Sequence, residues 1–182
     1  MMTATEWYHD VRNAPSDIVD HLGTFVALVD ELDATAVIEL GVRSGNSTAA
    51  WLYALEGRGH LWSVDITHPS RWVGVFPHWS FILGDDLSPS VLDRLPDGGV
   101  DVVFIDTSHE YEHTLAELTE YTPRVRKGGR VVLHDTEVRS PDGIGDAVPY
   151  PVRTAIEHYT EACGLSWENH EHCHGLGIIT IE

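Results

Sequence analysis

Basic residues are scarce in this chain. Its 182 residues carry 11 Lys+Arg against 29 Asp+Glu, a formal net charge of −18, and Lys127 is the sole lysine. A surface of that sign repels nucleic acid and anionic membranes, which argues against nonspecific binding to either. Cysteine is nearly missing too. Cys163 and Cys173 are too few for a disulfide scaffold, so a reducing, cytoplasmic setting is the default. No run approaches the roughly 20 apolar residues of a membrane span. The opening MMTATEWYHD has neither the basic region nor the apolar run of a signal peptide. Internal repeats and low-complexity segments are absent as well. What is present is ordinary: 42% hydrophobic and 22% charged residues, enough for one soluble domain with a substantial core.

Along the chain, short apolar runs alternate with helical patterns. A polar stretch extends to about Pro15, and Ser16 or Asp17 then caps an expected helix whose apolar positions run from Ile18 to Leu32 at helical spacing. This gives an N-terminal helical segment, 1–33, ahead of an α/β core, 34–182. Buried strands are expected at Ala36–Leu40, Leu61–Val64, Ser80–Leu83, Val100–Ile105 and Arg130–Leu133, with a last one in Gly175–Ile181. Helices are expected at Ser47–Leu55, around Val91–Leu95, from Tyr111 through Leu118, and from Val152 to Cys163. Such alternation implies βαβ units, a mostly parallel sheet and helices on both faces. Two connections depart from it: Thr67–Trp79, with Trp72, Phe76 and Trp79, and Thr136–Pro151, rich in proline and glycine. Both follow the carboxyl end of a strand, where open α/β sheets bind ligands, so both are candidate substrate loops.

Five strand ends carry the chemistry. Glu39-Leu-Gly41-Val-Arg-Ser-Gly45-Asn-Ser47 follows the first strand, and its glycines suit close backbone approach by a ligand or, alternatively, a tight strand-to-helix turn. The spacing is neither G-x-G-x-x-G nor a P-loop, which disfavours a nicotinamide or nucleotide-sugar enzyme on the same frame. Asp65 ends the second strand and can accept both hydroxyls of a ribose, or cap a helix. Asp85 ends the third and can accept from an adenine amino group, a role open to Asp86 as well.

These residues resemble the motifs of class I S-adenosylmethionine-dependent methyltransferases. Glu39, Gly41 and Gly45 match the family's Glu/Asp-x-Gly-x-x-x-Gly, and Ser47 matches the serine that helps hold the methionine carboxylate in the catechol O-methyltransferase group. Phe104-Ile-Asp-Thr-Ser-His-Glu-Tyr111 and Gly128-Gly-Arg-Val-Val-Leu-His-Asp135 resemble the macrocin and sugar O-methyltransferases and the cephalosporin-hydroxylase-like group. The resemblance implies a Rossmann-like, doubly wound, seven-stranded sheet with the last strand antiparallel. It further implies S-adenosylmethionine held by Glu39, Gly41, Gly45, Ser47, Asp65, Asp85 and Asp106. In metal-dependent members the strand-end aspartates, here Asp106 and Asp135, hold Mg²⁺ or another divalent cation, which suits a hard ion that keeps several waters. Thr107 and Thr136 depart from the pattern, the second where relatives often supply a further ligand.

A methyl transfer to oxygen needs a proton acceptor, and His109, three residues after Asp106, is the first candidate. It could instead cap a helix or orient Asp106. His134 beside Asp135 is the second candidate, or an orienting partner. The Asn169-His-Glu-His-Cys-His174 run lacks zinc-site spacing and reads as a solvated hairpin loop, with adventitious metal binding as the alternative. Arg124–Lys127 reads as a helix end facing water. The expected partner is a small-molecule acceptor such as a sugar, natural product or phenol, with homo-oligomerisation left open. A non-catalytic binding protein on the same fold is the rival reading.

Overall fold

The apolar runs pair as strands because each is too short for a helix, and the central ones, Ala36–Leu40 and Val100–Ile105, are buried on both faces, as parallel strands require. In the computed structural model, residues 2–69, 76–140 and 148–182 are described. The strands are β1 (Ala36–Leu40), β2 (His60–Asp65), β3 (Trp79–Leu83), β4 (Val100–Ile105), β5 (Val125–His134), β6 (Ser166–His170) and β7 (Leu176–Thr180). They form one sheet in the order β3-β2-β1-β4-β5-β7-β6, and β7 runs antiparallel to both its neighbours. Six helices, α1 (Ala4–Arg12), α2 (Leu22–Leu32), α3 (Asn46–Ala54), α4 (Pro89–Leu92), α5 (Tyr111–Tyr121) and α6 (Pro151–Cys163), complete the doubly wound α/β architecture among the described residues. No helix among them is long and apolar enough to cross a membrane.

The two faces of the sheet carry separate cores. Trp7 of α1, Phe25 of α2 and Trp51 of α3 pack with Phe104 on one side. Leu118 and Tyr121 of α5 and Ile156 of α6 pack with Ile38, Val103 and Leu133 on the other. Register then sets the site. Leu40 pairs with Val64 and with Ile105, and Ile105 pairs with Leu133, so Asp65, Gly41, Asp106 and His134 emerge one residue later along one edge. The chain turns from β1 toward β2 on one side and reaches β4 on the other, which makes that edge the topological switch point.

Several sequence expectations need correction. The polar opening contains α1, started by a capping box in which Thr3 and Glu6 satisfy each other's backbone N–H. The helix expected from Ser16 or Asp17 begins only at Leu22, after a 3₁₀ turn at Val19–His21, which frees Asp17 to pair with Arg43 at 2.9 Å. Arg124 ends a 3₁₀ turn, and Val125–Lys127 already belong to β5 rather than to a helix end. Arg126 is spent on Asp101 (2.5 Å), which also anchors the N–H groups of Thr35 and Ala36. Phe76 and Trp79 pack against Trp7 at the core, with ring centroids 6.1 and 6.2 Å away. Trp72 and the Pro141–Ala147 part of the second candidate loop lie outside the described residues.

Candidate active site

At the switch point the strand ends surround a cavity of ≈ 530 Å³ whose wall includes Gly41, Asp65, Asp85, Asp106, His109 and Asp135. The remaining expected cofactor residues, Glu39, Gly45 and Ser47, are not on that wall, and the reason is physical. Glu39 is fully buried and accepts hydroxyl hydrogen bonds from Ser47 (2.6 Å), Thr48 (2.8 Å) and Ser63 (2.5 Å). It therefore ties the start of α3 to β1 and β2 from behind the loop. Burial pushes its carboxyl up to about 7, even against three donors.

The two glycines answer to the protein itself. Gly41 (φ +87°) passes so close to Asp106 that a Cβ would lie 1.8 Å from its carbonyl oxygen. At Gly45 (φ +79°) a Cβ would meet the Trp7 ring at 2.6 Å. The alternative of a tight turn thus accounts for their glycine identity, while the backbone at Gly41 still forms cavity wall.

Asp65 reaches the wall with its carboxylate already engaged. Oδ2 accepts from the N–H groups of Val42 and Arg43, both at 2.9 Å, and Oδ1 accepts from the N–H and hydroxyl of Thr67. Burial pushes its pKa up, but these donors outweigh it and hold the group below the ordinary range. Asp65 is thus the clamp that shapes the 41–45 loop.

A charged cluster sits at the other end. Nε2 of His109 lies 2.8 Å from Asp135 and 3.2 Å from Asp106. Nδ1 of His134 lies 3.3 and 3.5 Å from the same two carboxylates. Its Nε2 faces the carbonyl oxygens of Cys173 (3.0 Å) and Asp17 (3.1 Å), so it must carry a proton. Burial pulls His134 down, but the two aspartates outweigh it and raise it to about 11. With Nε2 on backbone carbonyls and Nδ1 toward the two carboxylates, His134 is placed to orient them. His109 is raised to about 9, first by Asp106 and then by Asp135. Both aspartates stay ionised: burial pushes them up, and the histidines hold them below the usual range.

His109 (φ +57°) and Asp135 (φ +64°) both adopt the left-handed region, a conformation that costs on the order of 1 kcal/mol or more in non-glycine residues and concentrates at functional sites. The hairpin expected to be a solvated loop also reaches this cluster, with Nδ1 of His174 3.2 Å from Asp135. Thr136 does not: it is buried and donates to Asn169 at 2.6 Å.

A family model described as a methyltransferase domain matches residues 38–136, just over half of the chain. The chain belongs to this methyltransferase-domain family.

Solved structures agree on the fold of this methyltransferase domain. A Staphylococcus aureus protein named for caffeoyl-CoA O-methyltransferase matches at a TM-score of 0.72 and 16% identity, over 96% of this chain and 89% of its own. The Podospora anserina methyltransferase PaMTH1, solved with bound S-adenosylhomocysteine (SAH), matches at 0.65 and 14%, over 98% and 87%. MycE of the mycinamycin biosynthetic pathway, solved with Mg, SAH and mycinamycin VI, matches at 0.65 and 19%, over 90% of this chain and 48% of its own. The chain thus spans about half the length of MycE. Among curated proteins none matches the sequence.

The methyltransferase domain also places on its cavity wall residues that the motif reading passed over or weighed only lightly. Asp86 and His113 are the chief ones. Glu117, one turn beyond His113, falls among the buried positions Thr114, Leu118 and Tyr121 of α5. A carboxylate within an otherwise buried helical stripe was the available signal.

Proposed function

We propose that the domain transfers the methyl group of S-adenosylmethionine to an oxygen of a small-molecule acceptor. One observation carries the reading: a single cavity joins Asp85 and Asp65, past the close-packed Gly41, to Asp106, His109 and Asp135. The residues fit the cofactor at the first end. Ile66 is 75% exposed on the cavity wall, one of two exposed large apolar side chains among the described residues, and a flat base laid there would cover it. Asp85 would accept from the base. Asp65 would bind ribose hydroxyls by giving up its bonds to Thr67 while keeping the loop clamp. Glu39, Gly45 and Ser47 would act by shaping the loop.

In the transfer, the acceptor oxygen forms a bond to the methyl carbon as the carbon–sulfur bond breaks, and the acceptor's proton must leave. His109, with a side chain 40% exposed, would take that proton after losing its own. Asp106 and Asp135 would fix its ring, and bringing the two reactants into line would supply much of the acceleration. The residues also fit a divalent cation. The two carboxylates converge on one point, and His134 donates from Nε2 to backbone carbonyls, which turns Nδ1 toward them. When bound there, Mg²⁺ or another divalent cation would stabilise the developing negative charge on the acceptor oxygen.

Titration calorimetry with S-adenosylmethionine and SAH tests the cofactor half, with micromolar affinity expected (about −8 kcal/mol). No heat of binding, with or without Mg²⁺, would sink it. The transfer half is tested by SAH release over a panel of hydroxylated acceptors; a protein that binds cofactor but turns over none of them would be a binding module.

A further inference from the structure

Beside the cavity, three side chains that the transfer does not use converge. Asp86 follows β3, while His113 and Glu117 stand one turn apart on α5. Nε2 of His113 lies 3.3 Å from Oδ1 of Asp86 and 3.6 Å from Oε1 of Glu117. Asp86 is 6% exposed and Glu117 0%. Thr107 donates to Oε1 of Glu117 at 2.7 Å. The second oxygens, Oδ2 of Asp86 and Oε2 of Glu117, are buried and accept no hydrogen bond from any described residue.

Two buried carboxyls with one imidazole and two orphaned oxygens are an unbalanced group, since an unsatisfied buried acceptor costs about 1–3 kcal/mol and a charged one more. Burial first, and Glu117 second, push the carboxyl of Asp86 up, which is the electrostatic sign of that crowding. The spacing has a second meaning. Donors held about 2.1 Å from a tetrahedral ion stand about 3.4 Å from each other, and the separations of His113 from Asp86 and Glu117 bracket that value.

We propose that Asp86, His113 and Glu117 form a divalent-cation site that shares no ligand with Asp106 and Asp135. One imidazole with two carboxylates suits Zn²⁺, Co²⁺ or Mn²⁺ better than Mg²⁺ or Ca²⁺, which favour oxygen alone. Two carboxylates and a neutral imidazole balance the ion's charge, and bidentate binding would employ the orphaned oxygens. Asp86 and His113 lie on the cavity wall, which leaves a side open to water or a ligand. The ion would join the segment after β3, including Asp85, to α5, and so brace one end of the cavity. This assignment stands whether or not the cavity takes S-adenosylmethionine.

The test uses the untagged full chain with Asp106→Asn and Asp135→Asn, stripped by a chelator and dialysed against Zn²⁺ or Co²⁺, with bound metal counted by mass spectrometry. One ion per chain is expected, and adding His113→Gln should weaken its binding by tenfold or more. Glu117→Gln should do the same. Because Glu117 is buried, circular dichroism must show that variant folded, and the part-exposed His113 keeps the test decisive if it is not. No bound ion at micromolar free metal would overturn the site. If the same chain then shows an infrared band of a protonated carboxyl that Glu117→Gln removes, the pair shares a proton instead. Binding that survives both substitutions would place the ion elsewhere, such as the His170–His174 hairpin, and would also overturn it.

Discussion

The two ends of the cavity use carboxylates in opposite ways. At the loop end, Glu39 and Asp65 face only donors that belong to the frame: three hydroxyls for one, and two loop N–H groups plus Thr67 for the other. At the β4–β5 end, Asp106 and Asp135 face histidines, whose protons can leave. Saturation by fixed donors makes a rigid shape; compensation by titratable cations makes a site whose charge can change. On the proposed reading, that contrast gives shape to one end and chemistry to the other. Asp86 and Glu117 belong to neither class, since two of their oxygens are left without a donor among the described residues.

The contrast is broken most severely by removing the mobile charge. On the proposed reading, His109→Ala lowers methyl transfer by about 10²- to 10⁴-fold, the usual worth of a general base. Cofactor affinity should stay within a few-fold, because His109 belongs to the chemical end. Parallel calorimetry and SAH release check both, and equal losses in each would erase the division. The next largest effect lies on the rigid side. Trp7 is fully buried and fills the space facing Gly45, so Trp7→Ala should cost about 3–5 kcal/mol in urea unfolding. A loss under about 1 kcal/mol would mean that α1 does not support the loop.

The sheet was legible because its parallel strands carry short apolar runs, several of which end at carboxylates, as in Val102–Ile105 followed by Asp106. Strand β6 was not, since Ser166–His170 lies at the sheet edge with polar side chains outward and pairs only with β7. Helix α1 left a readable signal in Thr3 and Glu6, but nine residues on a polar opening hid the buried stripe of Trp7, Tyr8 and Val11. In the site, strand-end position pointed to Asp65, Asp85, Asp106 and Asp135, and all four line the cavity. It could not say which acids were already saturated, because the donors come from tertiary neighbours. The fate of His134 was set by carbonyls of Asp17 and Cys173, 117 and 39 residues away.

Rigid saturation also has a pH signature. The carboxyl of Glu39 is raised to about 7 from an ordinary 4.5, so the folded state binds an extra proton between those values. Its contribution to stability is fully present below about pH 4.5 and is lost as pH rises through 7, a change of about 3 kcal/mol at most. Glu39→Gln keeps an acceptor for the hydroxyls and cannot titrate. Urea midpoints measured from pH 5 to 8 should therefore fall less steeply in the variant than in the parent. Identical slopes would show that Glu39 ionises freely, and that its three hydroxyl bonds do not isolate it from solvent.

The smallest effect sharpens the contrast from outside. Arg43 pairs with Asp17 across the mouth of the loop at 2.9 Å, with the Arg43 side chain 83% exposed. Such a pair is worth about 0–1 kcal/mol, and added salt weakens it further. Arg43→Ala should therefore leave the urea midpoint nearly unchanged, because Asp65 holds the loop through the residue's backbone N–H, which alanine retains. Replacing the clamp, as Asp65→Ala, should loosen the loop and weaken cofactor binding far more than Arg43→Ala. If the two variants lost affinity equally, the surface charge rather than the buried carboxylate would be shaping the loop, and the assignment of rigid shape to this end would be wrong.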